Sequence, residues 1–505
     1  MIAKKLKTTQ AARVLGSNWF FVFIIIFFSI QTIWIALSAI YPMLFDEEYH
    51  LGIIDIYSRQ FSPFIYTQPP EASFHGDITR YGSYMFHYLM SFPYRLTQLF
   101  NLDLQSTIVA MRLVSIGFVV AGLFVFRAFL LRAGLTKSLA HLAIGFFTLI
   151  PLVPFAMSQI NYDSLAFLLI AAIFYLAIRS TQTSNKQIHW IVGLLSVSAL
   201  ACLVKFTILP IAFSTVLFVI IMLCKKHKKQ TLIYIRKQIS SLPKLQLIGL
   251  SLLFIFAVGM FGERYATNIV KYQTIEPKCD RIHSRDSCIQ YTVWRRDTTW
   301  KANNDAINKP RDNPFQYTSS YWAPHIFNDF FVTAAFVYQT DKELEIRYLP
   351  TTMKASAGNP LLRYAGWVMF AISVVVLAVS WRKLPLAAFR YIVLMTVLIY
   401  AVSLWSRNYS DYINIGAGTA AQGRYFIPLL IPIFAMVGLA FRHYLVRIRY
   451  QLAFLLTCGL LLSQGGGVAT YILYSNTQWY WPEQRKMIND INTNARKILR
   501  SYTLF

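Results

Sequence analysis

From Asn18 to Pro42 the chain carries no charged side chain. A helix crosses the hydrocarbon of a bilayer with about 20 predominantly apolar residues. In lipid every backbone N–H and C=O must be satisfied within the segment, which leaves the spanning helix as the fold of such a stretch. The pattern recurs along the sequence. Eleven segments qualify: 18–42, 107–131, 138–158, 160–179, 188–204, 206–223, 244–263, 361–381, 386–405, 424–441 and 452–474. The first is too long for a cleaved signal peptide, and no small-residue cleavage site follows it. The expected fold class is an all-α polytopic membrane protein with about 11 transmembrane helices, amphipathic juxtamembrane helices and extracytoplasmic loops.

Composition points the same way. Only 14% of the 505 residues are charged and 56% are hydrophobic, against about 25% charged in a soluble domain. A cytosolic globule is excluded. The 48 Lys and Arg outnumber the 22 Asp and Glu, for a formal net charge of +26. In a membrane chain this excess belongs to cytoplasmic loops and to contact with anionic headgroups. No nucleic-acid-binding motif accompanies it, so membrane lipids and not nucleic acid are the expected partner.

The basic residues also set the orientation. Lys4, Lys5, Lys7 and Arg13 precede the first span. Alternation puts Arg127, Arg132 and Lys137 on the same side, then Arg179 and Lys186, the run from Lys225 to Lys237, Arg382 with Lys383 and Arg390, and Arg442 with Arg447 and Arg449. A side on which every short loop is basic is cytoplasmic. The N-terminus is expected inside and the C-terminus outside. Residues 1–474 read as one transmembrane unit with two long outer segments, 43–106 and 264–360. The tail 475–505 is the third outer segment. Trp479, Tyr480 and Trp481 precede an amphipathic pattern of Met487, Ile488, Ile491, Ile498 and Leu499 there. This is expected to be a short helix lying on the membrane or capping a lumen.

Cys279 and Cys288 share a polar stretch of the second outer segment. A disulfide closing that small loop suits an oxidising face. A zinc pair is the alternative, and no further Cys pair or paired His lies nearby to complete it. Cys202, Cys224 and Cys458 fall in or beside spans and read as packing.

Ionisable residues at span ends are the best functional pointers in a membrane protein. Four groups fall at the outer ends. The first is Asp46-Glu47-Glu48-Tyr49-His50 after the first span, where Asp46 and His50 share a helical face at i, i+4. A carboxylate there can take a proton from a hydroxyl or amine or bind a divalent cation. The plain alternative is acidic capping of a juxtamembrane helix. The second is Asn161-Tyr162-Asp163, a further acid or simply an N-cap. The third is Gln422-Gly423-Arg424-Tyr425-Phe426, whose guanidinium forks onto phosphate oxygens or snorkels to the interface. Pro428 and Pro432 follow inside the span and imply a kink or freed carbonyls. The fourth is Lys205, a lone cation between apolar runs, paired with a phosphate or anchored at headgroups. Two acids and two cations on one leaflet suit a lipid-linked phosphate and an acceptor to be activated.

This order of features resembles the GT-C glycosyltransferases: acids after the first span, a long first outer loop, an acid after the third span, and an Arg-Tyr pair late in the chain. The stretch Tyr81-Gly82-Ser83-Tyr84-Met85-Phe86-His87-Tyr88-Leu89 looks like the part of their first loop that leads into a surface helix. Asn161-Tyr162-Asp163 together with Gln422-Gly423-Arg424-Tyr425-Phe426 is similar to a poorly characterised bacterial family of that superfamily. The resemblance spans roughly residues 18–441. It implies a polyprenyl-phosphate-linked sugar donor and an acceptor in the cell envelope. It implies Asp46 as base with Glu47 as second choice, Asp163 as supporting acid, and Lys205 and Arg424 as phosphate contacts, with Tyr425, His50 and Gln422 at the substrate. The superfamily includes metal-using and metal-free enzymes, so a divalent cation stays open as cofactor. The outer segment 264–360 has no counterpart in it. Trp294, Arg295, Arg296, Trp300, Tyr321 and Trp322 there suit a sugar or an interfacial belt. The rival expectation is a transporter or flippase of a lipid-linked or anionic solute. Such proteins often show internal repeats, and none is evident.

Overall fold

The computed structural model describes residues 10–43, 46–182, 187–331, 360–444, 464–475 and 477–502. The chain is an all-helical polytopic membrane protein. Its first span is α1 (Asn18–Ser38), started by Ser17, whose hydroxyl accepts from the Phe20 amide. Two helices follow at the far end of α1: α2 (Glu47–Ser58) and α3 (Met85–Leu99). The chain returns through α4 (Leu104–Arg132), capped by Asp103. Next come α5 (Lys137–Thr148) and α6 (Leu152–Met157), then α7 (Tyr162–Thr181), α8 (Gln187–Val204), α9 (Leu209–His227) and α10 (Lys244–Phe261). The second outer segment carries α11 (Thr292–Ala306). The later spans are α12 (Pro360–Ser380), α13 (Ala387–Ile415) and α14 (Ile427–Tyr444). The helices α15 (Val468–Tyr474) and α16 (Arg485–Tyr502) complete the described chain.

Nine helices among the described residues are long and apolar enough to cross a membrane. Two of the eleven expected spans account for the difference. Segment 138–158 is interrupted: α5 stops at Thr148 and α6 begins after Pro151. Proline lacks an N–H and disfavours helix in the residue before it, so an unbroken helix fails there. Segment 452–474 lies mostly outside the described residues, and only its last part, α15, is seen.

The core is built where α4 lies along α7 and α7 along α8. Phe126 and Phe167 meet there at 5.0 Å between ring centroids, and Phe129 and Phe174 at 5.2 Å. By contrast, α10 and α12 expose most of their apolar side chains, Leu252 and Val375 among them, as helices facing lipid do.

Contacts sort the connections into two ends. At one end Arg127 donates to Asn18, His141 bonds the Leu15 carbonyl, and Gln182 donates to the Arg132 carbonyl. The basic short loops gather here. At the other end lie the C-terminus of α1, the helices α2 and α3, the second outer segment and the tail. Tail and first span are tied together: the Ile40 amide donates to the Trp479 carbonyl at 2.7 Å and Ser38 shares a hydrogen bond with Tyr471 at 3.0 Å. Ile488 and Asn492 of α16 are buried in this contact, while Met487, Ile491 and Ile498 face outward.

Candidate functional site

The site begins with an ion pair the sequence hid. Arg112, fully buried in the middle of an apolar span, uses all five of its guanidinium donors. Nε and Nη2 donate to the two carboxylate oxygens of Glu47, each at 2.8 Å. Nη1 donates to the carbonyls of Ala36 and Ala39, and Nη2 to that of Ile40. Those carbonyls are the ones left over at the end of a helix. Glu47 in turn accepts from the amides of Met43 and Ile160. Its carboxylate, with none of its surface exposed, is filled by four donors. Glu47, the second choice for the base above, holds the end of α1, the start of α2, α4 and the turn before α7 in one knot.

Asp46, one residue earlier, is the opposite case. It sits at φ 69° in the left-handed region, where aspartate is tolerated better than most residues. It stands at the N-cap position of α2, but its side chain makes no cap bond. Its carboxylate is 57% exposed and lies 3.2 Å from Nη2 of Arg424.

Arg424 is placed by the short 3-10 turn Gly423–Phe426 that leads into α14. The Gly423 amide donates to Asp329 of the second outer segment at 2.9 Å. A Cβ at Gly423 would come within 2.6 Å of the Ile326 carbonyl, so only glycine lets the two backbones approach. Pro428 lies in the first turn of α14, where its missing N–H costs nothing, and Pro432 lies inside the helix. The preceding residue, Gln422, is half-buried, with its side-chain oxygen shielded and unpartnered.

Asp163 and Lys205 find each other. They form a buried ion pair between the first turn of α7 and the break between α8 and α9. The Asn161 side chain accepts from the Asp163 amide at 2.9 Å, so Asn161 is the N-cap and leaves the Asp163 carboxylate free for the lysine. The Lys205 ammonium also lies 4.6 Å from the ring centroids of both Tyr162 and Tyr425. The lysine is buried, and Asp163 balances its charge. Asp46, Asp163, Lys205 and Arg424, scattered over the sequence, thus stand at one end of the bundle around Tyr162 and Tyr425.

His50, at i, i+4 from Asp46, does not share that residue's exposure. It is buried, with Nδ1 2.9 Å from Nε2 of His87 and its ring edge-on to Tyr162 at 4.6 Å. Two of the outer aromatics pack elsewhere in the second outer segment and on α13. Trp322 donates to Asn408 of α13, and Tyr321 packs on Tyr317 and His325. Cys279 and Cys288 are joined in a disulfide, with Cα atoms 5.7 Å apart. Among the described residues no three His, Cys, Asp or Glu side chains group as metal ligands.

The histidine pair makes stability depend on pH. Burial pushes His50 well below its ordinary value, with His87 and Arg424 adding to the drop. Burial pushes His87 down to about 3. An unfolded histidine titrates near 6.5, so below that pH the unfolded chain binds protons that the folded one refuses. Stability is expected to be full above about pH 6.5 and to fall steadily as pH drops toward 3. Thermal unfolding in detergent between pH 7.5 and 5 checks this. His87→Leu should flatten the slope, and a wild-type curve with no slope would contradict it.

A family model described as "Predicted membrane protein (DUF2142)" matches residues 75–278, which includes Asp163 and Lys205 but not Asp46 or Arg424. No protein of curated function matches. Among solved structures, the crystal structure of ArnT from Cupriavidus metallidurans in the apo state is similar at 12% sequence identity and a TM-score of 0.45, over 95% of this chain and 72% of that one.

Proposed function

We propose that the protein is a membrane glycosyltransferase of the GT-C type. It moves a sugar from a polyprenyl monophosphate to a hydroxyl or amine acceptor of the cell envelope, on the extracytoplasmic side of a bacterial inner membrane. The observation that carries this reading is the contact of an exposed carboxylate, Asp46, with a buried guanidinium, Arg424, beside the closed Asp163–Lys205 pair. The basic short loops at the other end of the bundle support the sidedness.

In the reaction the acceptor oxygen or nitrogen attacks the anomeric carbon and gives its proton to Asp46. The bond from that carbon to the phosphate oxygen breaks, and the electron pair leaves on the phosphate. Positive charge builds on the sugar ring and negative charge on the leaving group. Arg424 and Lys205 meet the latter. Single displacement inverts the anomeric configuration. A phosphate arriving at Arg424 competes with Asp46 for the same guanidinium, so donor binding releases the carboxylate to act as base. Glu47 and Asp163, each committed to a cation, hold the frame.

Purified protein in lipid nanodiscs, given a polyprenyl-phosphate sugar and envelope acceptors, tests the reading. Transfer with bond cleavage supports it. Movement of the intact lipid between leaflets identifies a flippase instead, and neither outcome identifies a non-catalytic partner. Arg424→Ala is expected to raise the donor KM roughly 10- to 100-fold, the worth of a charge-assisted contact. A donor KM equal to that of the wild type rules out the phosphate role.

A further inference from the structure

The second outer segment delivers to the first outer loop one ring, that of Tyr291, to which no motif points. Its disulfide hairpin is fastened to the first outer loop at two adjacent places. Nε2 of His283 lies 2.9 Å from the Asp77 carboxylate. Three residues past Cys288, the Tyr291 ring lies flat on Gly76, so close that a Cβ there would come within 2.9 Å of it. Gly76 has φ 78°, a conformation that glycine alone adopts freely.

Tyr291 thereby joins other aromatic rings around the acid. Tyr49 and Tyr81 meet edge to face at 6.5 Å, and Tyr49 packs on His75 at 5.7 Å. Burial raises the Tyr49 phenol, and Tyr81, Tyr291, Tyr162 and Asp46 all add to the rise. Tyr162 and Tyr425 continue the wall toward Lys205. All five tyrosines are half-buried, so each keeps one side open. The cations at its edge, Arg424 and Lys205, each have a carboxylate partner, and the two histidines behind it are held neutral.

We infer that Tyr49, Tyr81, Tyr162, Tyr291 and Tyr425 form the subsite for the donor's sugar. The inference rests on the glycosyl-transfer reading above. A pyranose or furanose ring has an apolar C–H face that stacks on aromatic rings and hydroxyl edges that bond phenols. The phosphate is held elsewhere, at Arg424, so sugar and phosphate affinity are separable.

The experiment compares binding of bare polyprenyl monophosphate with its glucosyl, galactosyl, mannosyl and arabinosyl derivatives, using the full chain in nanodiscs. At least one sugar lipid is expected to bind more tightly than the bare lipid. Tyr291→Leu should remove about three- to tenfold of that gain, the range of one aromatic contact, and leave the bare lipid unchanged. Tyr291→Phe, which keeps the ring, should retain most of the gain. Tyr81→Leu gives the same comparison should Tyr291→Leu not fold. A wild type that binds bare and sugar-bearing lipids equally overturns the subsite while leaving the phosphate site intact. So does a Leu variant that weakens both alike or neither. A wild type that binds no polyprenyl phosphate at all overturns the transferase reading, and the subsite with it.

Discussion

Asp46→Asn is expected to slow sugar transfer by about 10²- to 10⁴-fold, the usual worth of a general base. The protein should fold as the wild type does. Asp46 is exposed, its side chain makes no cap bond, and among the described residues its ion-pair partner is Arg424, so the fold loses little. The substitution also frees the guanidinium from its competitor, so the donor KM should stay level or fall while kcat drops. That split separates a base from a residue that merely shapes the pocket. Glu47→Gln makes the contrast: its expected defect is poor folding, because it weakens a buried pair, and not slow chemistry in a well-folded enzyme. An Asp46→Asn protein that transfers sugar at the wild-type rate would falsify the assignment of the base.

Arg112→Met is expected to cost about 3–5 kcal/mol, the penalty for leaving one partner of a buried ion pair alone. A folded chain holds only about 5–15 kcal/mol in total, so the variant should be near collapse. The change removes five hydrogen bonds at once and strands both the Glu47 carboxylate and three helix-end carbonyls. Adding Glu47→Leu should recover part of the loss, since a pair of apolar side chains replaces a buried pair at little cost. The three carbonyls stay unmatched, so recovery falls short of wild type. Melting temperature and the monodisperse fraction after purification measure both steps. Equal stability of Arg112→Met and wild type contradicts the argument.

The spans were legible because lipid imposes a single rule on every backbone group, and that rule shows as long apolar runs. The broken segment 138–158 escaped because its composition is as apolar as its neighbours; Pro151 and Pro154 were the visible signs. At the site, the order of acids and cations along the chain pointed to one end of the bundle, and Asp46, Asp163, Lys205 and Arg424 do meet there. Pairing was not legible. Asp46 and Glu47 are neighbours of the same charge type, yet one faces out and the other is sealed, which depends on where Arg112 reaches from another helix. Arg112 itself was visible as a charge inside an apolar run, the pattern that marks an intramembrane ionisable residue as special. Tyr291 carried no signal, because its place depends on the contacts of Tyr291 with Gly76 and of His283 with Asp77.

The closure of the tail on α1 has a consequence for biogenesis. Ser38 bonds Tyr471, Ile40 bonds Trp479, and Trp34 bonds Asn492. The segment beside Asp46 leaves the ribosome at least 433 residues before the partners that match its polar groups. A nascent chain stalled before Tyr471 therefore carries an unfinished first helix, and quality-control proteases would meet it at that exposed end.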